Sequence, residues 1–219
     1  MTHLDDVLAE QVRYYRERAP EYDATSRPEG DPFADVAALA HAELRSLGPV
    51  RRANELGELA GPRPELVAAI ADEVEAVDTS PEVLGLNRAK LRAPHVRYTV
   101  ADVFSWRPAE PADLVVASAL LSHIPRERLK VFWDAVDPML RPGGRFFLFD
   151  EAPHGVWSEE ATGEDGVVMR TLNDGRRFRI VKVLRDVAEL TVALADLGWT
   201  AHLTRRDPFL WGTIARRDP

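Results

Sequence analysis

The stretch NELGELAGPRPELVAAIADEVEAVD, residues 54–78, reads as a strand end, a glycine-bearing turn, a helix and a second strand closed by an acid. In such a βαβ nucleotide-binding unit a ligand lies across the carboxyl ends of the strands, glycine lets the backbone approach it, and the closing acid, Asp78, can accept hydrogen bonds from ribose hydroxyls. Other candidates for chemistry lie further along. His123, in LSHIP, carries an imidazole that could deprotonate an oxygen or nitrogen nucleophile near neutral pH, or could simply anchor its loop. Asp150, Glu151 and His154 form DExxH, which is no recognised metal frame, so no metal is expected and substrate contacts or hydrogen bonds to a lid are favoured. The segment YYRERAPEYD supplies Tyr14, Tyr15 and Tyr22, whose rings and hydroxyls suit either a pocket wall or half-buried packing. A phosphate loop with its lysine, a nucleophile elbow and HExxH are all missing, which leaves kinase, hydrolase and zincin readings without support.

Several elements must position these groups. Leu4, Val7, Leu8, Val12 and Tyr15 share one face at helical spacing, and a polar, proline-rich segment follows them. Phe33, Val36, Ala37, Ala40, Leu44 and Leu47 make a second helix, stopped by Gly48-Pro49. The strand VRRANEL is unusually polar for a central parallel strand, and a buried Asn54 without partners would cost ~1–3 kcal/mol. A helix over 64–70 and a strand over 73–77 lead to Asp78, and Ser80-Pro81-Glu82 opens the next helix with a capping hydroxyl and a proline at its first position. Strands are predicted over 96–100, over 113–118 and in RFFLFD, with a helix over 126–140 before the last. Tight alternation of this kind implies a right-handed parallel sheet with helices on both faces. Residues 152–176 read as a loop or lid, and FRIVKV as a strand outside the main sheet. A helix through Val187, Leu190, Leu194 and Leu197 precedes two strands around Asp207-Pro208.

A chain of 219 residues suits one α/β domain. With 28 basic and 36 acidic residues the net charge is −8, which opposes attraction to phosphate backbones and favours small organic substrates over nucleic acid. No apolar run approaches the ~20 residues of a membrane span, and the acidic, amphipathic start is unlike a signal peptide, so a cytoplasmic monomer or homodimer with no membrane partner is expected. The absence of cysteine excludes thiolate catalysis, disulfides and cysteine-ligated metals.

From about Tyr14 onward the chain resembles the class I S-adenosylmethionine (SAM)-dependent methyltransferases, most clearly in AVDTSPEVL, VRYTVADVF, LSHIP and LRPGG, and Glu55, Gly57 and Gly61 fall into the register of that family's first motif. The resemblance implies a Rossmann-like, doubly wound seven-stranded sheet, five strands parallel and a C-terminal antiparallel hairpin, under an N-terminal helical cap. It divides one domain into a cap (1–48), a nucleotide-binding core (49–151), a lid or insert (152–183) and a C-terminal helix and hairpin (184–219). It also implies that Glu55, Gly57, Gly61, Asp78, Thr79, Asp102, Val103 and Ser118 bind the cofactor. Within that set Asp78 holds the ribose, Asp102 contacts the adenine amino group and Val103 packs on the ring. His123 would then stand beside the reacting methyl group. With Glu151 and Tyr15 it makes the catalytic set, while Tyr14, Tyr22 and His154 face the substrate. The chain departs from the family pattern at Leu59, which replaces the middle glycine, at Glu58, whose charge faces the expected carboxylate of SAM, and at Pro62 and Pro64, which remove amide donors. Three readings follow: methyl transfer from SAM to O, N or C of a small, secondary-metabolite substrate; a SAM-independent cyclase, isomerase or lyase on the same fold, with no such cofactor; and a non-catalytic small-molecule binder.

Overall fold

The architecture was obtained as a computed structural model that describes residues 3–21, 31–57, 64–155 and 160–217. Helices α1 (His3–Arg18) and α2 (Ala34–Ser46) precede an alternating series: β1 (Val50–Leu56), α3 (Pro64–Ala68), β2 (Ala71–Asp78), α4 (Pro81–Leu91), β3 (Val96–Val100), β4 (Ala112–Ser118), α5 (Leu129–Val136) and β5 (Leu140–Glu151). Then come β6 (Glu160–Ala161), β7 (Val167–Thr171), β8 (Arg177–Val181), α6 (Val187–Asp196), β9 (Trp199–Arg206) and β10 (Phe209–Arg216). The main sheet has seven strands in the order β3-β2-β1-β4-β5-β10-β9. β1 to β5 pair in parallel, whereas β10 runs antiparallel between β5 and β9. The doubly wound sheet with its C-terminal hairpin is thus the architecture the sequence pattern called for.

Successive side chains of a strand face opposite sides, and both sides are buried here. Ala53, Val74, Ala76, Leu114, Val116 and Phe147 pack with Ala40 and Leu44 of α2, Leu66 and Val67 of α3 and Leu84 of α4. On the other side Leu56, Val77, Val115, Ala117 and Phe146 pack with Phe132 and Trp133 of α5 and Leu190 and Leu194 of α6. Ser80 caps α4 as its hydroxyl signalled, accepting from Val83 N at 3.3 Å. The expected helix over 126–140 is instead three pieces, with 3₁₀ turns at Arg126–Arg128 and Asp137–Met139 flanking α5. Pro138 lacks the amide that would continue the α-helical ladder.

Residues 152–176 are not only loop: β6 and β7 join β8 in a separate three-stranded antiparallel sheet. Helix α1 packs on β8 and closes its free edge chemically. Glu10 Oε1 accepts from Arg179 N at 2.7 Å and Gln11 Oε1 from Val181 N at 2.9 Å, so two helix side chains replace a missing neighbour strand. Val7, Leu8, Tyr14 and Tyr15 supply the apolar part of the contact. The N-terminal helix and the small sheet therefore form one layer. No helix among the described residues is long and apolar enough to cross a membrane.

Asn54 is fully buried in β1, and neither amide atom has a partner among the described residues. An unpaired buried amide destabilises a fold by ~1–3 kcal/mol, so Asn54→Val, smaller in polarity and suited to a strand, should stabilise it by about 1–2 kcal/mol. Thermal denaturation should show a rise of roughly 2–6 °C for a chain of this size. A fall would mean that the amide is satisfied in solution.

Candidate active site

Parallel strands deliver their carboxyl ends to one edge of the sheet, where Gly57 follows β1, Asp78 ends β2, Asp102 follows β3, Ser118 ends β4 and Glu151 ends β5. Gly57 has φ +70°, and a side chain there would meet Leu120 at 3.1 Å, so glycine answers both a left-handed backbone and a close approach. Asp78 Oδ1 accepts from Ser80 N at 2.7 Å, which fixes its carboxylate beside the start of α4. Asp102 Oδ1 likewise accepts from Phe104 N at 2.9 Å, and Val103 is half-buried beside it. Arg16 of α1 donates to Thr79 O at 2.9 Å, tying the N-terminal helix to the turn after β2. Ser118 is 2% exposed and its hydroxyl has no partner among the described residues. Glu55 is 4% exposed, and burial together with the Glu65 carboxylate pushes its pKa up to about 8.

A second group of polar residues gathers where the loop after β4 meets β8. His123 Nδ1 lies 2.7 Å from Val181 O, and its Nε2 lies 2.8 Å from the Tyr15 hydroxyl. A carbonyl only accepts, so Nδ1 carries the ring proton. Burial, reinforced by the charge of Lys182, holds the imidazole well below its usual range and hence neutral, so Nε2 is an acceptor and Tyr15 donates to it. Gln11 completes the clasp by donating to His123 O at 3.4 Å. Both nitrogens of His123 join the β4 loop, α1 and β8, the arrangement of the anchoring alternative. Tyr15 shares that contact and does not stand free as an acid or base. Tyr14 is 3% exposed and packs against Phe178 with ring centroids 5.7 Å apart.

Lys182 lies beside this clasp with its side chain 3% exposed, 3.0 Å from Glu151 Oε1 and 3.4 Å from Ser122 Oγ. Asp150 accepts from Ser122 N at 2.9 Å and Glu151 N at 2.8 Å; burial raises its pKa while Lys182 opposes the rise. Lys182, Arg170 and Arg18 each act on His123 as positive charges. In a chain with a net charge of −8, three cations from α1, β7 and the end of β8 thus act on one imidazole. His154 stands apart, close enough to Asp207 in the C-terminal hairpin to affect its ionisation. Gly61, Glu58, Leu59 and Tyr22 lie outside the described residues.

The strand-end acids are where the sequence pattern put them, whereas Gln11, Ser122, Arg170 and Lys182 were not singled out from it. A lysine inside the apolar run FRIVKV was a readable anomaly. Gln11 had no such signal, since a glutamine on a surface helix is ordinary.

Residues 60–144 match the family model described as a methyltransferase domain. A trans-aconitate 2-methyltransferase of Rhizobium leguminosarum bv. trifolii is 35% identical over 124 residues, which is 56% of this chain and 43% of that one. The chain spans less than half the length of the curated relatives it matches first. Over nearly its full length it is similar to a solved DhpI complex with S-adenosylhomocysteine (SAH): 34% identity, TM-score 0.83, covering 97% of this chain and 98% of the other. A DhpI-SAM-HEP complex is similar at 33% identity and TM-score 0.83, over 98% and 99% of the two chains.

Proposed function

Because this chain belongs to the class I SAM-dependent methyltransferases, we propose that it transfers the methyl group of SAM to an oxygen of a small organic oxyanion. The residues present suit the cofactor. Gly57 turns the chain at the end of β1 with a positive φ, Glu55 is buried beside it, the buried Ser118 hydroxyl lacks a partner among the described residues, and Asp78 and Asp102 stand at adjacent strand ends. On this reading Asp78 receives the ribose hydroxyls, with Thr79 beside it, Asp102 and Val103 take the adenine, and Glu55 and Gly57 face the amino acid portion. Bound SAM supplies an electrophilic methyl on a sulfonium. The protein's own contribution is chiefly orientation and exclusion of water, which α1 and the small sheet provide by covering the strand ends.

The observation that carries the oxyanion assignment is the buried ammonium of Lys182, with Arg170 and Arg18 as further positive charges, in an otherwise acidic protein. Cations inside a lid attract and align an anion, and an acid already ionised at neutral pH needs no base, which agrees with a His123 whose nitrogens are both occupied. Relatives named for trans-aconitate, itself an acid, support the same class. Calorimetric titration with SAM and SAH, followed by incubation with SAM and a panel of small carboxylates, phosphonates and amines, tests this. Low-micromolar binding and SAH formation with oxyanions are expected, with Kd values of roughly 1–50 μM corresponding to about −8 to −6 kcal/mol. Absence of cofactor binding, or turnover confined to neutral amines, would overturn the assignment.

A further inference from the structure

We propose that Glu151 is a resident stand-in for the substrate's oxyanion: its carboxylate holds the Lys182 ammonium while the site is empty, swings out when a substrate anion takes its place, and returns after methyl transfer. This rests on the oxyanion reading above.

Two carboxylates act on Lys182, and only one of them is free to leave. Asp150 is 3% exposed, its Oδ2 accepts from Ser122 N at 2.9 Å and its Oδ1 from Glu151 N at 2.8 Å. Its charge also acts on the buried guanidinium of Arg185. Moving it would strand two backbone donors and a second cation. The Glu151 carboxylate carries no such obligations, since its contact among the described residues is the Lys182 ammonium at 3.0 Å. Its side chain is 22% exposed where that of Lys182 is 3% exposed, so the carboxylate stands on the solvent side of the pair. Swinging outward returns it to water and restores its rotamer freedom. The ammonium left behind keeps the neutral Ser122 hydroxyl at 3.4 Å, which cannot balance a buried charge. An arriving oxyanion relieves that imbalance, and one anion replaces another. Glu151 ends β5 at the sheet edge to which the cofactor reading assigns SAM, so the place it fills belongs to the same site.

The reaction itself reverses the exchange. Transfer joins the methyl carbon to the anion's oxygen and breaks the carbon–sulfur bond, whose electron pair goes to sulfur. One positive and one negative charge vanish together, leaving a thioether and a methyl ester. Lys182 thereby loses the anion that had replaced Glu151, and the returning carboxylate competes with the product for the ammonium. Before reaction the same competition weakens anion binding by the fraction of molecules in which Glu151 has moved out; a fraction of about one tenth costs about tenfold in affinity.

Inorganic phosphate, a small anion without the rest of any substrate, serves as the probe. It is titrated into the full chain at constant ionic strength and followed on the amide NMR signals of Ser122 and Lys182. Glu151→Gln keeps the shape of the side chain and an oxygen that can accept from Lys182, and thermal denaturation checks that it stays folded. This variant should bind phosphate about tenfold more tightly than the wild type. Glu151→Ser, too short to reach the ammonium, should show the same gain. Glu127→Gln removes the same unit of charge at an exposed position and should bind as the wild type does. In a Lys182→Met background, Glu151→Gln should bring no gain, the mark of a coupled pair. Phosphate affinity in Glu151→Gln equal to or weaker than that of the wild type would overturn the proposal, as would a gain that persists without Lys182. Weaker binding would mean that Glu151 aligns the ammonium instead of covering it. The oxyanion reading is judged separately by the turnover panel, and it fails if SAH forms with neutral amines alone.

Discussion

Replacing Arg185 by methionine is expected to destabilise the protein by about 3–5 kcal/mol, the loss typical of removing one partner from a buried charged network. Arg185 is 5% exposed and follows β8. Its Nη1 donates to the carbonyls of Leu121 and of Val183, the latter at 3.2 Å, and its Nη2 to that of Ile124 at 2.6 Å. These carbonyls belong to the loop after β4 and to the chain leaving β8, which one guanidinium therefore joins. Burial pulls the guanidinium pKa down to about 10, while the Asp150 carboxylate opposes that, so the side chain remains charged at neutral pH. Methionine fills a comparable volume but offers no donor, leaving three carbonyls and Asp150 poorly compensated. Urea denaturation should register the loss, and the melting temperature should fall by roughly 6–20 °C. Lysine at the same position keeps the charge but not the planar fork, and should recover less than half of the loss. A loss of less than about 1 kcal/mol in Arg185→Met would show that water replaces the guanidinium at these carbonyls.

Lys182→Met should lower kcat/KM on the best oxyanion substrate by roughly tenfold to 100-fold, chiefly through a higher KM, because the ammonium attracts and aligns an anion whose charge is lost rather than developed in the transition state. Methionine preserves the aliphatic stem while removing the ammonium that lies 3.0 Å from Glu151 and 3.4 Å from Ser122. Affinity for SAH should stay within about threefold of wild type, because Lys182 belongs to the small-sheet side while the proposed cofactor contacts lie at the strand ends of β1 to β3. That split between turnover and cofactor affinity separates a substrate role from general damage to the fold. Thermal denaturation of the same variant checks that it remains folded. Turnover within about threefold of the wild type would mean that Lys182 only neutralises Glu151 and Asp150.

Two classes of feature behaved differently when sequence met structure. Ser80 before Pro81, and apolar runs that alternate between two buried faces, carry their meaning in residues a few positions apart, and each appears where the pattern predicted it. Asp78 and Asp102 were legible for the same reason: parallel connectivity sends every strand end to one edge, so position in sequence already implies position in the site. The helix over 126–140 broke because a single proline interrupts an otherwise helical pattern.

The small sheet and its clasp followed another logic. Residues 152–176 lack periodicity because β6 and β7 are short, and the small sheet they form with β8 is closed by α1, which lies far back in the sequence. Tyr15 and His123 were singled out as chemical groups, yet only folding decided that each would occupy the other, with Val181 taking the second imidazole nitrogen. The same holds for Lys182, an anomaly in a strand until Glu151 and Ser122 are brought to it from two other segments. The sequence alone determined the doubly wound sheet and the edge that gathers its strand-end acids, since hydrophobic period and turn chemistry are local. Only the tertiary structure decided which ionisable groups are buried, which are paired and which, like Glu55, lie buried near a charge of the same sign, because burial and Coulomb energy depend on neighbours that the chain supplies from a distance.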